Sequence, residues 1–184
     1  GIKPGDEVII PNRTWIATAH APMMLGAKPV LVDVLSDRPI MDTSLIKDKI
    51  NSKTKAIIPV QLCGCAVNME EVWEIAKEYN LAVVEDTAQA LFSKYNDQYM
   101  GTQSDVGCFS MAVSKLVSTG QGGFVVTRNR ELYEQFKLIR THGVANVNAA
   151  TPFTQVGFNF RYTDIHASIG LVQLDKVNER IDNL

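Results

Sequence analysis

The sequence predicts an α/β fold, a three-layer structure in which a mostly parallel sheet carries helices on both faces. Two observations support this fold class. Short runs rich in Val and Ile alternate along the chain with segments of helical periodicity. These runs are apolar almost without a break, as expected for strands that are covered on both faces of a parallel sheet.

The strands are predicted from these apolar runs. DEVIIP forms a short buried strand, KPVLVDV is a strand by its β-branched content, and LAVVED ends in two acidic residues. The predicted strands comprise residues 6–11, 28–34, 55–62, 81–86, 105–111 and 122–127.

Helical periodicity fills most of the segments between the strands. The predicted helices comprise residues 14–26, 42–51, 68–80, 130–143 and 163–184, and residues 146–162 are predicted to be irregular. Pro22 would kink the first helix, and a capping residue, Asp42 or Thr43, opens the second. The third helix has i, i+3, i+4, i+7 spacing, which predicts one buried face formed by Met69, Val72, Trp73 and Ala76.

Composition excludes several classes of function. The chain has 184 residues, a net charge of −2 and a hydrophobic fraction of 46%. Without a basic surface we expect no nucleic-acid partner, and no apolar run is long enough to span a bilayer, so we expect no membrane partner. The cysteines Cys63, Cys65 and Cys108 form no CxxC pair, which favours a reduced, cytoplasmic setting. We expect buried thiols and no metal site.

Asp86 is the first candidate functional residue. It falls at the carboxyl end of a predicted strand, where open α/β sheets bind their ligands. Glu85 and Asp86 are adjacent, so their side chains point in different directions, and one of the two could be merely solvated. The alternative for Asp86 is a helix cap before DTAQA, and the motif alone leaves both interpretations open.

Lys115 and the segment GFNFRY provide two further candidates. A solvated loop lysine is the simplest interpretation of Lys115, but the flanking apolar residues favour a desolvated amine, which is a better nucleophile. The glycines of STGQGG allow positive φ and close backbone approach beside it. In GFNFRY, Asn159 and Arg161 share a polar face if the stretch is extended, although an aromatic-anchored loop packed on its own domain explains the segment equally well.

An acid at a strand end and a lysine on a later loop match the needs of one cofactor. Pyridoxal phosphate (PLP) requires a lysine for its Schiff base and a carboxylate opposite its pyridinium nitrogen. Neither the P-loop pattern nor the dinucleotide-binding glycine pattern occurs, which argues against a nucleotide P-loop and against a nicotinamide-dependent oxidoreductase.

Seven motifs occur in the order and spacing of a known family: PGDEVIIPNRTWIATAHA, GAKPVLVDV, TKAIIPVQLCG, VVEDTAQA, GCFSMAVSKLVSTGQGGFVVT, RTHG and GFNFRYTDIHASIGLVQL. With them the chain resembles the DegT/DnrJ/StrS-type sugar aminotransferases, which are fold-type I PLP enzymes. The resemblance covers essentially all 184 residues, and the last motif is similar to the perosamine-synthase-like branch. It implies that the sheet and helices form the large PLP-binding domain of such an enzyme.

The resemblance also implies roles for individual residues. Lys115 resembles the Schiff-base lysine, and Asp86 resembles the partner of the pyridine nitrogen. Gln89 resembles the residue beside the ring hydroxyl, and Trp15 resembles the aromatic residue that stacks on the pyridine ring. Ser110 resembles the hydroxyl that contacts the cofactor phosphate.

Asn159 resembles the asparagine that reaches the neighbouring subunit's phosphate, so the resemblance implies a homodimer with shared active sites. Such enzymes transfer an amino group, usually from glutamate, to a keto sugar on a nucleotide diphosphate; we favour a 4-keto sugar, for cell-surface polysaccharide or aminosugar biosynthesis. Residues 1–162 correspond to the large domain, whose first part would precede Gly1. Residues 163–184 form a helix leading towards a small domain beyond the chain, which leaves open whether this stretch alone turns over.

Two alternatives lie within the same fold. PLP-dependent sugar dehydratases replace the Schiff-base lysine with histidine, and Lys115 disfavours this alternative. A catalytically silent regulatory or structural relative is the other, and the retention of Asp86, Gln89, Trp15 and Lys115 argues against it.

Overall fold

A computed structural model of the chain describes residues 1–145 and 152–183. The chain divides into two compact units, Gly1–Ser110 and Met111–Leu184. The first unit contains β1 (Glu7–Pro11), α1 (Ala17–Met23), β2 (Lys28–Val32), β3 (Thr54–Ile57), α2 (Met69–Tyr79), β4 (Ala82–Asp86), β5 (Lys94–Tyr95), β6 (Gln98–Tyr99) and β7 (Val106–Ser110). The second contains β8 (Gly123–Val126), α3 (Arg130–Arg140), α4 (Asp164–Asp175) and α5 (Val177–Asp182).

The sheet of the first unit is parallel. Its strands follow the order β2-β1-β3-β4-β7. β1 pairs in parallel with β2 and β3, β3 pairs with β4, and β4 pairs with β7. The carboxyl ends of these strands therefore lie along one edge of the sheet, and the predicted mostly parallel α/β fold is confirmed.

Alternate residues of the sheet pack against different helices. Ile9 of β1 is buried in a cluster that includes Met69, Val72, Ile75 and Ala76 of α2. Val8 and Ile10, which point to the other face, pack in a second cluster with Ala19 of α1. Covering both faces in this way removes the sheet's apolar side chains from water and produces the three predicted layers.

The helix α2 forms where its periodicity predicts. The Asn68 side chain caps its first turn by accepting a hydrogen bond from the Glu71 amide, and Asn80 ends it in a left-handed conformation with φ of 54°. The predicted buried face is correct except at one position. Trp73 is only partly buried, with its ring against the core and its indole N–H donating to the Gln103 carbonyl oxygen, whereas Ile75 is fully buried.

Two predicted helices differ from the structure. Residues 42–51 form two short 3₁₀ turns, Thr43–Leu45 and Lys47–Lys49, instead of an α-helix. The Asp42 carboxylate accepts from both the amide and the hydroxyl of Ser44, a local side-chain interaction that competes with a continuous helix. The predicted long helix over 163–184 is interrupted at Lys176, between α4 and α5, where φ is −102° and ψ is 3°.

The other differences are local. β3 ends at Ile57, earlier than predicted, because Pro59 has no amide hydrogen to continue the ladder. A short hairpin, β5–β6, was not predicted; Asn96 and Asp97 form its turn with φ of 48° and 59°. Part of the segment predicted as irregular, residues 146–151, lies outside the described residues. None of the helices in the described ranges is both long and apolar enough to cross a bilayer.

Candidate active site

Asp86 is the last residue of β4 and lies at the carboxyl edge of the sheet. Its Oδ2 accepts a hydrogen bond of 2.7 Å from the Thr18 hydroxyl, and its Oδ1 accepts one of 3.2 Å from the Ala88 amide. The second bond is of the capping type, but residues 87–93 form turns rather than a helix. Asp86 is half-buried, and the donors on its two oxygens define the plane of its carboxylate.

Glu85 is fully buried and Asp86 is half-buried, so neither acid is simply a solvated surface residue. Its side chain lies on the same face of β4 as the buried Val83, because side chains alternate between the two faces of a strand. Its carboxylate accepts hydrogen bonds from the Gln61 side chain, the amides of Gly101 and Gln103, and the Ser104 hydroxyl, at 2.8–3.1 Å. The period-2 pattern of LAVVED was the signal that could have assigned it to the interior.

Cys108 of β7 pairs directly with Asp86 across the sheet. Burial, followed by the negative charges of Asp86 and Glu85, raises the pKa of the Cys108 thiol to about 11. The thiol is therefore protonated and unreactive at neutral pH, as expected of a structural cysteine. Cys63, in contrast, is exposed, so the expectation of buried thiols is wrong at that position. It lies in a short 3₁₀ turn after β3, Leu62–Gly64, where its φ is 54°.

Three more predicted site residues lie at or just after the ends of strands that finish at the same edge. Trp15 lies between β1 and α1, and 73% of its surface is exposed, so most of its ring is accessible for stacking. Gln89 follows β4, and its Oε1 accepts a 3.1 Å hydrogen bond from the Cys63 amide. Ser110 is the last residue of β7 and is half-buried. The first unit thus collects Asp86 and these three residues on the carboxyl side of one parallel sheet.

Lys115 lies in a tightly bonded turn of the second unit. Its amide donates to the Ala112 carbonyl oxygen at 3.0 Å, and Arg180 of α5 donates to the Leu116 carbonyl oxygen at 2.9 Å. Gly122 has φ of 134°, and a Cβ there would lie 2.7 Å from the Tyr162 ring. The prediction that the glycines beside Lys115 adopt positive φ is therefore confirmed. Lys115 is half-buried, and hydrogen bonds within the turn hold its backbone.

Asn159 lies on an extended segment of the second unit. It forms an antiparallel bridge with Thr141, and the rings of Phe158 and Phe160 stack with centroids 4.7 Å apart. Side chains two residues apart therefore share a face, which leaves Asn159 and Arg161 on the opposite side, as the extended interpretation predicts. Asn159 is exposed.

The glycines of RTHG and GFNF bring these two segments into direct contact. Gly143 and Gly157 touch so closely that a Cβ on Gly157 would lie 2.1 Å from the Gly143 nitrogen. The His142 amide donates to the Phe158 carbonyl oxygen at 2.8 Å. These contacts fix the backbone that carries Asn159.

Sequence reasoning missed one residue that contacts this site. Thr18 is 4% exposed and bonds both to Asp86 and, through its hydroxyl, to the Thr14 hydroxyl at 2.8 Å. The four-residue spacing of the two threonines in NRTWIAT indicates only their contact with each other, and nothing local indicates the bond to Asp86.

Comparison with known proteins identifies this architecture. The model of the DegT/DnrJ/EryC1/StrS aminotransferase family matches residues 1–183. The chain belongs to this family. Its similarity to the family was predicted from the seven motifs, and that prediction is confirmed.

Individual family members agree with this assignment. GDP-perosamine synthase of Escherichia coli O157:H7 is 42% identical over 181 residues, which are 98% of this chain and 50% of that protein. S. venezuelae DesV superposes with a TM-score of 0.91 at 34% identity over 97% of this chain and 48% of that one. The PLP form of the putative sugar aminotransferase Spr1654 from Streptococcus pneumoniae gives 0.87 and 32%, over 97% of this chain and 50% of that one. The chain thus spans about half the length of the relatives it matches.

Proposed function

We propose that the protein is a PLP-dependent aminotransferase that moves an amino group from glutamate to a nucleotide-linked keto sugar. The 42% identity to a GDP-perosamine synthase supports a nucleotide-linked sugar, and we propose that it is a 4-keto sugar. The PLP form of a 32% identical neighbour supports the cofactor. We further propose that the enzyme is a cytoplasmic homodimer, that residues 1–162 belong to its large domain, and that the helical segment from 163 leads towards a small domain.

The Asp86 carboxylate is the observation that carries the proposal. It lies at the carboxyl edge of a parallel sheet and is held by the Thr18 hydroxyl and the Ala88 amide, which are both neutral donors. Neutral donors do not compensate the charge of an ionised carboxylate, so Asp86 can pair with a cationic partner such as a protonated ring nitrogen. When bound, PLP supplies an electron sink for a carbanion at the carbon that bears the amine.

The donor set of this chain fits that cofactor. A carboxylate, an exposed indole, a carboxamide and a hydroxyl, from Asp86, Trp15, Gln89 and Ser110, all lie at the same edge of the first unit. Trp15 would stack on the ring, Gln89 would lie beside the ring hydroxyl, and Ser110 would donate to the phosphate. Asn159, exposed on its extended segment, would contact the phosphate of the neighbouring subunit.

Lys115 would perform the proton transfer. Its amine, on the bonded turn of the second unit, would hold the cofactor covalently between turnovers. Once released, the Lys115 Nζ would take the proton from the amine-bearing carbon of the donor and return it during amination of the sugar. This role requires an amine that can reach the cofactor, and Lys115 is half-buried on a turn whose backbone is hydrogen-bonded.

Covalent trapping tests the site assignment. The protein in its full natural length is incubated with PLP, reduced with borohydride, digested and mapped. We expect the label on Lys115; a label on Lys94 or Lys137 would overturn the assignment. Lys115→Ala should lose the label and about 10²-fold or more in kcat, whereas Lys94→Ala, on the β5–β6 hairpin, should keep both.

A substrate panel tests the reaction. Nucleotide-linked 3-keto and 4-keto sugars are offered with glutamate as the donor, and the aminated product is measured. Amination of a 4-keto sugar is the expected result. PLP binding without amination of any sugar would instead support a catalytically silent relative.

A further inference from the structure

We propose that Thr18, backed by Thr14, is a positioning residue that fixes the Asp86 carboxylate and the Trp15 segment for the cofactor. The inference rests on the proposed function. It concerns side chains of the first unit only, and it assigns a task to a pair of hydroxyls that the reaction itself does not require.

The two hydroxyls form a chain that ends on the carboxylate. An ionised carboxylate only accepts hydrogen bonds, so Thr18 Oγ1 donates to Asp86 Oδ2 across 2.7 Å. The same Thr18 oxygen then accepts from the Thr14 hydroxyl, 2.8 Å away. Successive hydroxyls aligned in this direction polarise one another and strengthen the final bond to the carboxylate.

The bond restricts a torsion that is otherwise soft. Rotation of an aspartate carboxylate about its last bond is broad and roughly two-fold. The Ala88 amide engages only Oδ1, at 3.2 Å, whereas Thr18 engages Oδ2. Donors on both oxygens define the plane of the carboxylate, and a defined plane is what a single ring nitrogen needs from its partner.

Thr18 also connects Asp86 with Trp15. The Thr18 amide donates to the Trp15 carbonyl oxygen at 3.1 Å, and the Thr14 hydroxyl bonds to Thr18 from the other side of Trp15. The turn that carries the exposed indole is therefore bonded through one buried residue to the end of β4. β3 separates β1 from β4 in the sheet, so this side-chain bond joins segments that are not adjacent strands.

Three variants of the full-length protein separate positioning from plain stability. Thr18→Val removes the hydroxyl at nearly constant shape, and Thr18→Ser restores it. Thr43→Val is the matched control, because Thr43 is also buried in the first unit and donates its hydroxyl to a carboxylate, that of Glu71.

Apoenzyme is titrated with PLP, the visible circular dichroism of the bound cofactor is recorded, and the melting temperature of the apoenzyme is measured alongside. Thr18→Val should weaken PLP binding about tenfold or more and reduce the dichroism per bound cofactor. Thr18→Ser should restore most of both. Thr43→Val should lower the melting temperature while leaving the Kd and the dichroism unchanged.

The proposal is overturned if Thr18→Val lowers only the melting temperature, as Thr43→Val does, with an unchanged Kd and dichroism. If Thr18→Val does not fold, Thr14→Val decides: a weaker Kd supports the hydroxyl chain, and an unchanged one refutes it. A crystal structure of apo Thr18→Val provides a readout without the cofactor, and an unrotated Asp86 carboxylate contradicts the inference. Failure of the wild-type protein to bind PLP refutes the proposed function and is distinct from these results.

Discussion

Replacing Glu85 with glutamine should destabilise the first unit strongly, although it changes a single atom type. Oε2 of Glu85 accepts from Gln61 and Gly101, and Oε1 accepts from Gln103 and Ser104. In either orientation of the amide, an NH₂ group replaces an oxygen that accepts two of these bonds. Hydrogen bonds to a charged group contribute about 1.5–3 kcal/mol each, so the loss of two corresponds to about 3 kcal/mol at the lower value. Glutamine is neutral, so the variant avoids the cost of burying a charge. This gain offsets part of any loss in stability above that lower value.

Urea unfolding of Glu85→Gln, followed by tryptophan fluorescence, measures this loss. Trp73 is a suitable probe because its indole N–H donates to Gln103, in the loop that Glu85 holds. Glu74→Gln is the matched control: Glu74 is exposed, and its replacement should change the free energy of unfolding by less than about 0.5 kcal/mol. If Glu85→Gln unfolds within that same margin, the buried carboxylate does not hold the loop and the reasoning is wrong.

Two other predictions follow. If active sites are shared between subunits, heterodimers of Asn159→Ala and Lys115→Ala subunits should regain activity that neither homodimer has, and purified heterodimers without activity would refute sharing. Because the Cys108 pKa rises from 9.0 to about 11 on folding, the unfolded thiol ionises first, and stability should fall as pH rises from 9 to 11. Relative to Cys108→Ala, the wild-type protein should lose about 2–3 kcal/mol over this window, measured by urea unfolding at each pH; parallel curves would contradict the shift.

The hydrophobic pattern was sufficient to predict the sheet, because each of its parallel strands is a short apolar run that can be recognised without its neighbours. It was insufficient for residues 42–51, where the local pattern is helical but the Asp42 side chain bonds to Ser44 and two short turns form. The β5–β6 hairpin was missed for a different reason. Its strands are only two residues each, and its turn depends on positive φ at Asn96 and Asp97, a signal too short for any periodicity.

Site residues were predictable where they occur in motifs and unpredictable where they act through other residues. Asp86 and Lys115 were identified from their positions at a strand end and in a glycine-rich loop. Thr18 was missed because its hydrogen bond to Asp86 joins residues 68 apart in the sequence. Only the folded sheet brings α1 to the end of β4, so no local pattern contains that contact.

The adjacent acids of β4 show how a strand can give neighbouring carboxylates different tasks. Alternation directs Glu85 into the core, where four donors bind it, and directs Asp86 to the opposite face, where it is the last residue of β4 and lies at the sheet edge. Beside Asp86, the Cys108 thiol is neutral at physiological pH because burial raises its pKa, so it adds no second negative charge. The donors that orient Asp86, a hydroxyl and an amide, are neutral as well. A lysine or arginine in their place would hold the carboxylate as firmly, but it would neutralise the charge that a protonated ring nitrogen requires.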